Sequence, residues 1–139
     1  MSQAEHYVTR YAIDATVALQ LADDQVHLGK DHQLVSAGRL RSEAMSILYR
    51  RVRGGELEER LARTLLDRVT TMRIRLLGDR VSRAVAWQIA AELDWDDTNR
   101  AEYIAVAKLQ ADRFVTLDQD LERAARAYVA TAPIDELYP

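Results

Sequence analysis

Four short runs of β-branched, aliphatic and aromatic residues, each separated from the next by helix-patterned sequence, constrain this chain more than any other feature. They fall at 8–13 (VTRYAI), 34–37 (LVSA), 73–77 (RIRLL) and 113–117 (RFVTL). Between and after them, apolar residues recur at helical spacing over 15–22, 39–53, 56–71, 81–93, 100–110 and 121–129. In the second of these helices Leu40, Ala44, Ile47, Leu48 and Arg51 follow the i, i+4, i+7, i+8 pattern of a buried stripe. Gly54-Gly55 then ends it, since glycine accepts the left-handed conformation past a helix C-terminus. Strands joined through helices require right-handed crossovers, and these build a mainly parallel sheet. The expectation is one α/β domain with a central four-stranded sheet flanked by helices.

A length of 139 residues suits a single domain over 1–139. The stretch from about 130, which holds both prolines, is expected to be loosely ordered. No cysteine is present, so disulfides, thiolate metal sites and cysteine nucleophiles are excluded, and a reducing compartment fits. The start is polar and no apolar run approaches the roughly 20 residues of a membrane span, so a cytoplasmic protein without membrane contact is expected. The net charge of −3 argues against a general polyanion binder. The distribution is uneven, however: from Arg39 to Arg80 there are eleven arginines against six acids. Such a bias marks either solvated helix faces or a cationic surface for a phosphate backbone.

The carboxylates carry the chemistry. Asp14 follows the first strand run and Asp118 the last, and ligands of open α/β folds bind at the carboxyl ends of strands. Glu43 lies on the edge of a buried helical stripe, where a carboxylate is costly unless paired with a cation. An arginine such as Arg39 or Arg41 would satisfy it without any function. Asp96 and Asp97 precede the 100–110 helix, where aspartate is also a favoured cap. Together these acids suggest a hard-oxygen site for Mg²⁺ or Mn²⁺, suited to phosphodiester hydrolysis. His6, His27 and His32 lack ligand spacing, Ser42 has no paired base, and no glycine-rich phosphate loop occurs. Trp87, Trp95 and Tyr103 read as packing residues.

Four stretches, YAIDATVAL (11–19), LVSAGRLRSEAMSIL (34–48), DDTNRAEYIAVAKLQAD (96–112) and FVTLDQDL (114–121), resemble the PIN-domain family, specifically VapC-type toxins of VapBC toxin–antitoxin modules. The resemblance spans nearly the whole chain. It implies a PIN-like three-layer sandwich and a metal-dependent endoribonuclease, in which Asp14, Glu43 and Asp118 would be metal-binding acids and Thr116 a supporting hydroxyl. One position departs from the family: an aspartate often stands two residues before the glutamate of the AEY step, and here Arg100 does. Asp97, about one turn earlier, is the expected replacement, ahead of Asp96 or Glu102. The resemblance further implies an RNA substrate, a homodimer and a cognate VapB-like antitoxin. Arg41, Arg50, Arg51 and Arg53 are candidates to contact RNA or antitoxin.

Arg100 also motivates a different class of function, a non-catalytic PIN-like domain that binds nucleic acid or an antitoxin. A phosphatase-like or receiver-like reading fits less well. The phosphatase pattern wants an aspartate two residues after the first, where this chain has Thr16, and the order of acids does not match a receiver.

Overall fold

The structure, a computed structural model, describes residues 7–139, so His6 and the start of the polar N-terminal stretch lie outside the described residues. Its elements run β1 (Thr9–Ile13), α1 (Ala15–Asp23), β2 (His32–Ala37), α2 (Leu40–Arg53), α3 (Glu59–Thr71), β3 (Ile74–Leu77), α4 (Arg80–Glu92), α5 (Asn99–Gln110), β4 (Arg113–Val115) and α6 (Gln119–Ala125). A short 3₁₀ turn covers Ile134–Leu137. Every expected strand and helix is present, with ends shifted by a few residues. The largest shift is in the last helix, which starts directly behind its cap Asp118 and ends at Ala125.

All strand pairs are parallel, in the order β3-β2-β1-β4. The register sets Ala12 beside Val35 on one side and beside Phe114 on the other. Burial on both faces explains why β1, β2 and β4 end in unbroken apolar runs rather than alternating ones. One helical layer holds α1, α2 and α3, which pack on one another, with α1 against β1. The other holds α4 and α5, and α5 lies along β1, β2 and β4. Alanines at 101, 105 and 107 let α5 approach the sheet closely, and all three are fully buried. Phe114, Ile13, Leu40 and Ile104 fill the core without measurable exposure.

Strand order reverses at β1. The chain moves from β1 to β2 and β3 on one side, then returns to place β4 on the other. In a sheet of this type the crevice beyond the strand ends opens at that reversal. Asp14 directly follows β1, and Asp118 lies in the turn after β4.

The expectation of a loose C-terminus does not hold. Phe114 N–H donates to Ala130 O (2.8 Å) and Ala132 N–H to Phe114 O (3.0 Å), so the tail bonds along the outer edge of β4. Ala132 and Leu137 are buried, and Tyr11 Oη donates to Glu136 Oε1 at 2.9 Å. Tyr138 donates to Asp24, and burial followed by this bond pushes its phenol up to about 12. The physical reason is that β4 is an edge strand whose outward N–H and C=O groups need partners, and the tail supplies them. Leu137→Ala should therefore cost about 2–5 kcal/mol in urea unfolding, the range for a buried leucine. A free tail would give a change near zero.

Candidate functional site

Asp14 combines two local roles. Its backbone ends β1 in an extended conformation, and its side chain caps α1 by accepting from Val17 N–H at 3.1 Å. The same oxygen, Oδ1, accepts from Thr16 Oγ1 at 2.6 Å, while Oδ2 accepts from Thr116 Oγ1 at 2.5 Å. Each threonine is also an acceptor: Leu117 N–H donates to Thr16 Oγ1 (3.3 Å) and Asp118 N–H to Thr116 Oγ1 (3.1 Å). Two hydroxyl relays thus tie the end of β1 to the turn after β4. Beside them Ser36 Oγ, buried in β2, donates to Ile13 O at 2.6 Å.

Asp14 is only 4% exposed. Desolvation raises its carboxyl above the ordinary range, the three hydrogen bonds pull it back, and the negative charge of Glu43 pushes it further up. Among the described residues it has no ion-pair partner. Glu43 stands in the first turn of α2, where the positive helix end favours it. Tyr103 Oη from α5 donates to Glu43 Oε1 at 2.6 Å. Burial, that bond and the charges of Glu43 and Asp14 all raise the Tyr103 phenol, so it stays a donor. Tyr103 is buried as expected, but its hydroxyl also reaches Glu43.

Arg39 completes the cluster. Its Nη1 donates to Asn99 Oδ1 (2.6 Å) and lies 3.3 Å from Glu102 Oε2, and its Nε lies 3.5 Å from Glu43 Oε1. The Nε contact is an ion pair by distance but not a hydrogen bond, since that buried N–H lacks an aligned acceptor. The arginine pairing weighed for Glu43 is therefore present, through Arg39 and not through the exposed Arg41.

The remaining acids sit differently. Asp118 caps α6, with Oδ1 accepting from Asp120 N–H (3.0 Å) and Leu121 N–H (3.1 Å). Asp97 Oδ1 accepts from Asn99 N–H at 3.0 Å, and Asp96 has no hydrogen bond among the described residues. Among those residues no group of three or more His, Cys, Asp or Glu side chains is placed to hold a metal ion. The expected convergence of Asp14, Glu43, Asp97 and Asp118 is thus reduced to the pair Asp14 and Glu43. The reason is local: both other aspartates precede helices and satisfy orphan N–H groups there.

The pair still suits a hard divalent ion by donor chemistry. Magnesium is commonly held by one or two carboxylates, with waters and substrate phosphate filling the rest of its shell. Glu43 Oε2 and Asp118 Oδ2 take no hydrogen bond among the described residues. Arg100, which departs from the pattern the sequence resembles, forms no ion pair among the described residues, and its guanidinium lies 4.2 Å from the ring centre of Trp95. Trp95 is half-buried, whereas Trp87 is exposed and does not pack as expected.

Arg41, Arg50, Arg51 and Arg53 are all exposed on α2. Arg53 lines a groove of about 550 Å³ between α2 and α3, floored by Met45, Leu48, Val52 and Leu66. That groove is lined by none of the site carboxylates. Nothing in the sequence marked Thr16, Asn99 or Ser36 as site residues, because their roles exist only once β1, β2 and β4 are adjacent.

No protein-family profile matches the chain, and no curated protein matches it. Among solved structures it is similar to the crystal structure of PAE2754 from Pyrobaculum aerophilum, with a TM-score of 0.69 and 19% identity. The match covers 97% of this chain and 95% of that one. At that identity the likeness shows the α/β fold alone.

The raised carboxyl of Asp14 has a definite sign in stability. The folded state holds its proton more tightly than the unfolded state, so stability falls as pH rises from the unfolded value through the folded one. Without divalent ions, Asp14→Asn should therefore melt higher than wild type at pH 7.5. The gap should close as pH falls toward about 4, where the unfolded-chain carboxylate is itself protonated. Melting curves by circular dichroism across that range check both statements.

Proposed function

We propose that this chain is a Mg²⁺- or Mn²⁺-dependent endoribonuclease of the PIN type, acting as the toxin of a toxin–antitoxin pair. The observation that carries the reading is the desolvated Asp14 carboxylate, set beside Glu43 at the sheet's switch point, with no ion-pair partner among the described residues. Keeping two acids in one partly buried place is unfavourable unless a cation offsets their repulsion. Asp14 and Glu43 would hold the ion, with Asp118 and Asp97 contributing through oxygens outside their capping bonds.

When bound, a divalent ion supplies charge neutralisation at a phosphate and lowers the pKa of water. The chain's own residues do the rest. Thr16 and Thr116 fix both oxygens of Asp14, so the carboxylate keeps one orientation as substrate arrives. Tyr103, held protonated, fixes Glu43 in the same way. Such supporting hydrogen bonds typically matter about 10–100-fold to metal affinity or activity. Arg41, Arg50, Arg51 and Arg53 supply phosphate contacts for RNA, or acid contacts for a VapB-like antitoxin. The α2–α3 groove is apolar in its floor, and its rim carries Arg53 together with an Arg63–Glu59 ion pair, which suits an amphipathic segment of that partner. No described helix is long and apolar enough to cross a membrane, in keeping with a cytoplasmic toxin. A homodimer is part of the same reading.

A second reading has its own support. Arg39 already compensates Glu43 and Glu102, Asp118 caps α6 and Asp97 accepts from Asn99 N–H, which suits a PIN-like domain that binds RNA or antitoxin without cutting.

The two separate by experiment. Purified wild type should cleave structured RNA with Mg²⁺ or Mn²⁺, and EDTA should stop it. Asp14→Asn and Glu43→Gln should reduce cleavage to background, and Thr116→Val should lower it about 10–100-fold. Cleavage that persists equally in all three variants would falsify the nuclease assignment. RNA binding without cleavage or Mn²⁺ affinity would establish the second reading.

A further inference from the structure

Resting on the nuclease reading, we propose that Arg39 is the internal counter-ion of the carboxylate site, and that a divalent cation binds there in competition with its guanidinium. Three acids face this region, Asp14, Glu43 and Glu102, and Arg39 is the one cation within ion-pair distance of any of them among the described residues. One guanidinium leaves two negative charges uncompensated.

The contact geometry is that of a placeholder. A guanidinium frequently engages a single carboxylate through two parallel hydrogen bonds. Arg39 instead straddles two acids, at 3.5 Å from Glu43 and 3.3 Å from Glu102, and is anchored by its shorter bond to Asn99 at 2.6 Å. Its Nε–H is buried without an acceptor, which is an unfavourable state for a donor. The side chain remains about 30% exposed, so it can leave without unpacking the core. Asn99 is the first residue of α5, and its N–H donates to Asp97 Oδ1. Departure of Arg39 would therefore free the Asn99 side chain together with Glu43.

Mutual exclusion follows from charge. A divalent ion between Asp14 and Glu43 would repel a guanidinium 3.5 Å from Glu43, and the guanidinium weakens the ion by the same coupling. Arg39 thereby sets how much divalent ion is needed before the site loads.

The test is Mn²⁺ titration by calorimetry, without RNA, on wild type, Arg39→Gln, Arg39→Lys and Arg60→Gln. Arg60 is exposed on α3 and controls for net charge. Arg39→Gln should bind Mn²⁺ about tenfold tighter, equivalent to about 1.4 kcal/mol. Arg39→Lys, which keeps the charge, and Arg60→Gln should stay within about threefold of wild type, a difference of under about 0.7 kcal/mol. In wild type, the Arg39 Nε–H resonance should shift and lose protection from solvent exchange as Mg²⁺ saturates the protein. That measurement holds even if a variant fails to fold. Equal or weaker Mn²⁺ binding by Arg39→Gln, or an Nε–H signal indifferent to Mg²⁺, overturns the counter-ion role and leaves the nuclease reading standing. Absence of Mn²⁺ binding in every protein removes both.

Discussion

The structure around the candidate site depends on one short contact, the hydrogen bond from Thr116 to the buried carboxylate of Asp14. It joins positions 102 residues apart and does so at the point where the sheet changes direction. A buried carboxylate must be satisfied by donors or it will not stay ionised. Here the donors come from both sides of the switch point, Thr16 behind β1 and Thr116 behind β4. Each hydroxyl in turn takes a backbone N–H from the β4–α6 turn. The carboxylate thus fastens the end of β1 to the turn after β4.

Much of this was legible beforehand, for a physical reason. Parallel strands buried on both faces leave solid apolar runs, and amphipathic helices leave a 3.6-residue period, so the βα order stands in the sequence. Asp14 and Asp118 were legible because they interrupt such runs at strand ends. What stayed hidden was which acids would remain available. Asp97 and Asp118 sit where either a cap or a ligand would sit, and only three-dimensional placement separates the roles. Tyr103 read as a packing residue, and it is one, but its hydroxyl reaches Glu43 across 60 positions of sequence. The ordered tail was missed because its partner, the outer edge of β4, is a backbone surface with no side-chain signature.

Charge is arranged with similar economy. The arginine that departs from the resembled pattern, Arg100, stacks on Trp95 and forms no ion pair among the described residues. A different one, Arg39, pairs with Glu43 and Glu102. A cation–π contact gives a guanidinium a favourable neighbour without a carboxylate partner.

The distant pairing of β1 with β4 has a consequence for biosynthesis. Residues 11–13 find their partners only when residues 113–115 have been made, and contacts of such long sequence separation form late and slowly. While the ribosome is still extending the chain, Asp14 has no Thr116 to hold it and the outer side of β1 is open. A product that stopped before β4 would hold α1 to α5 yet lack the strand pairing that brings Thr116 against Asp14.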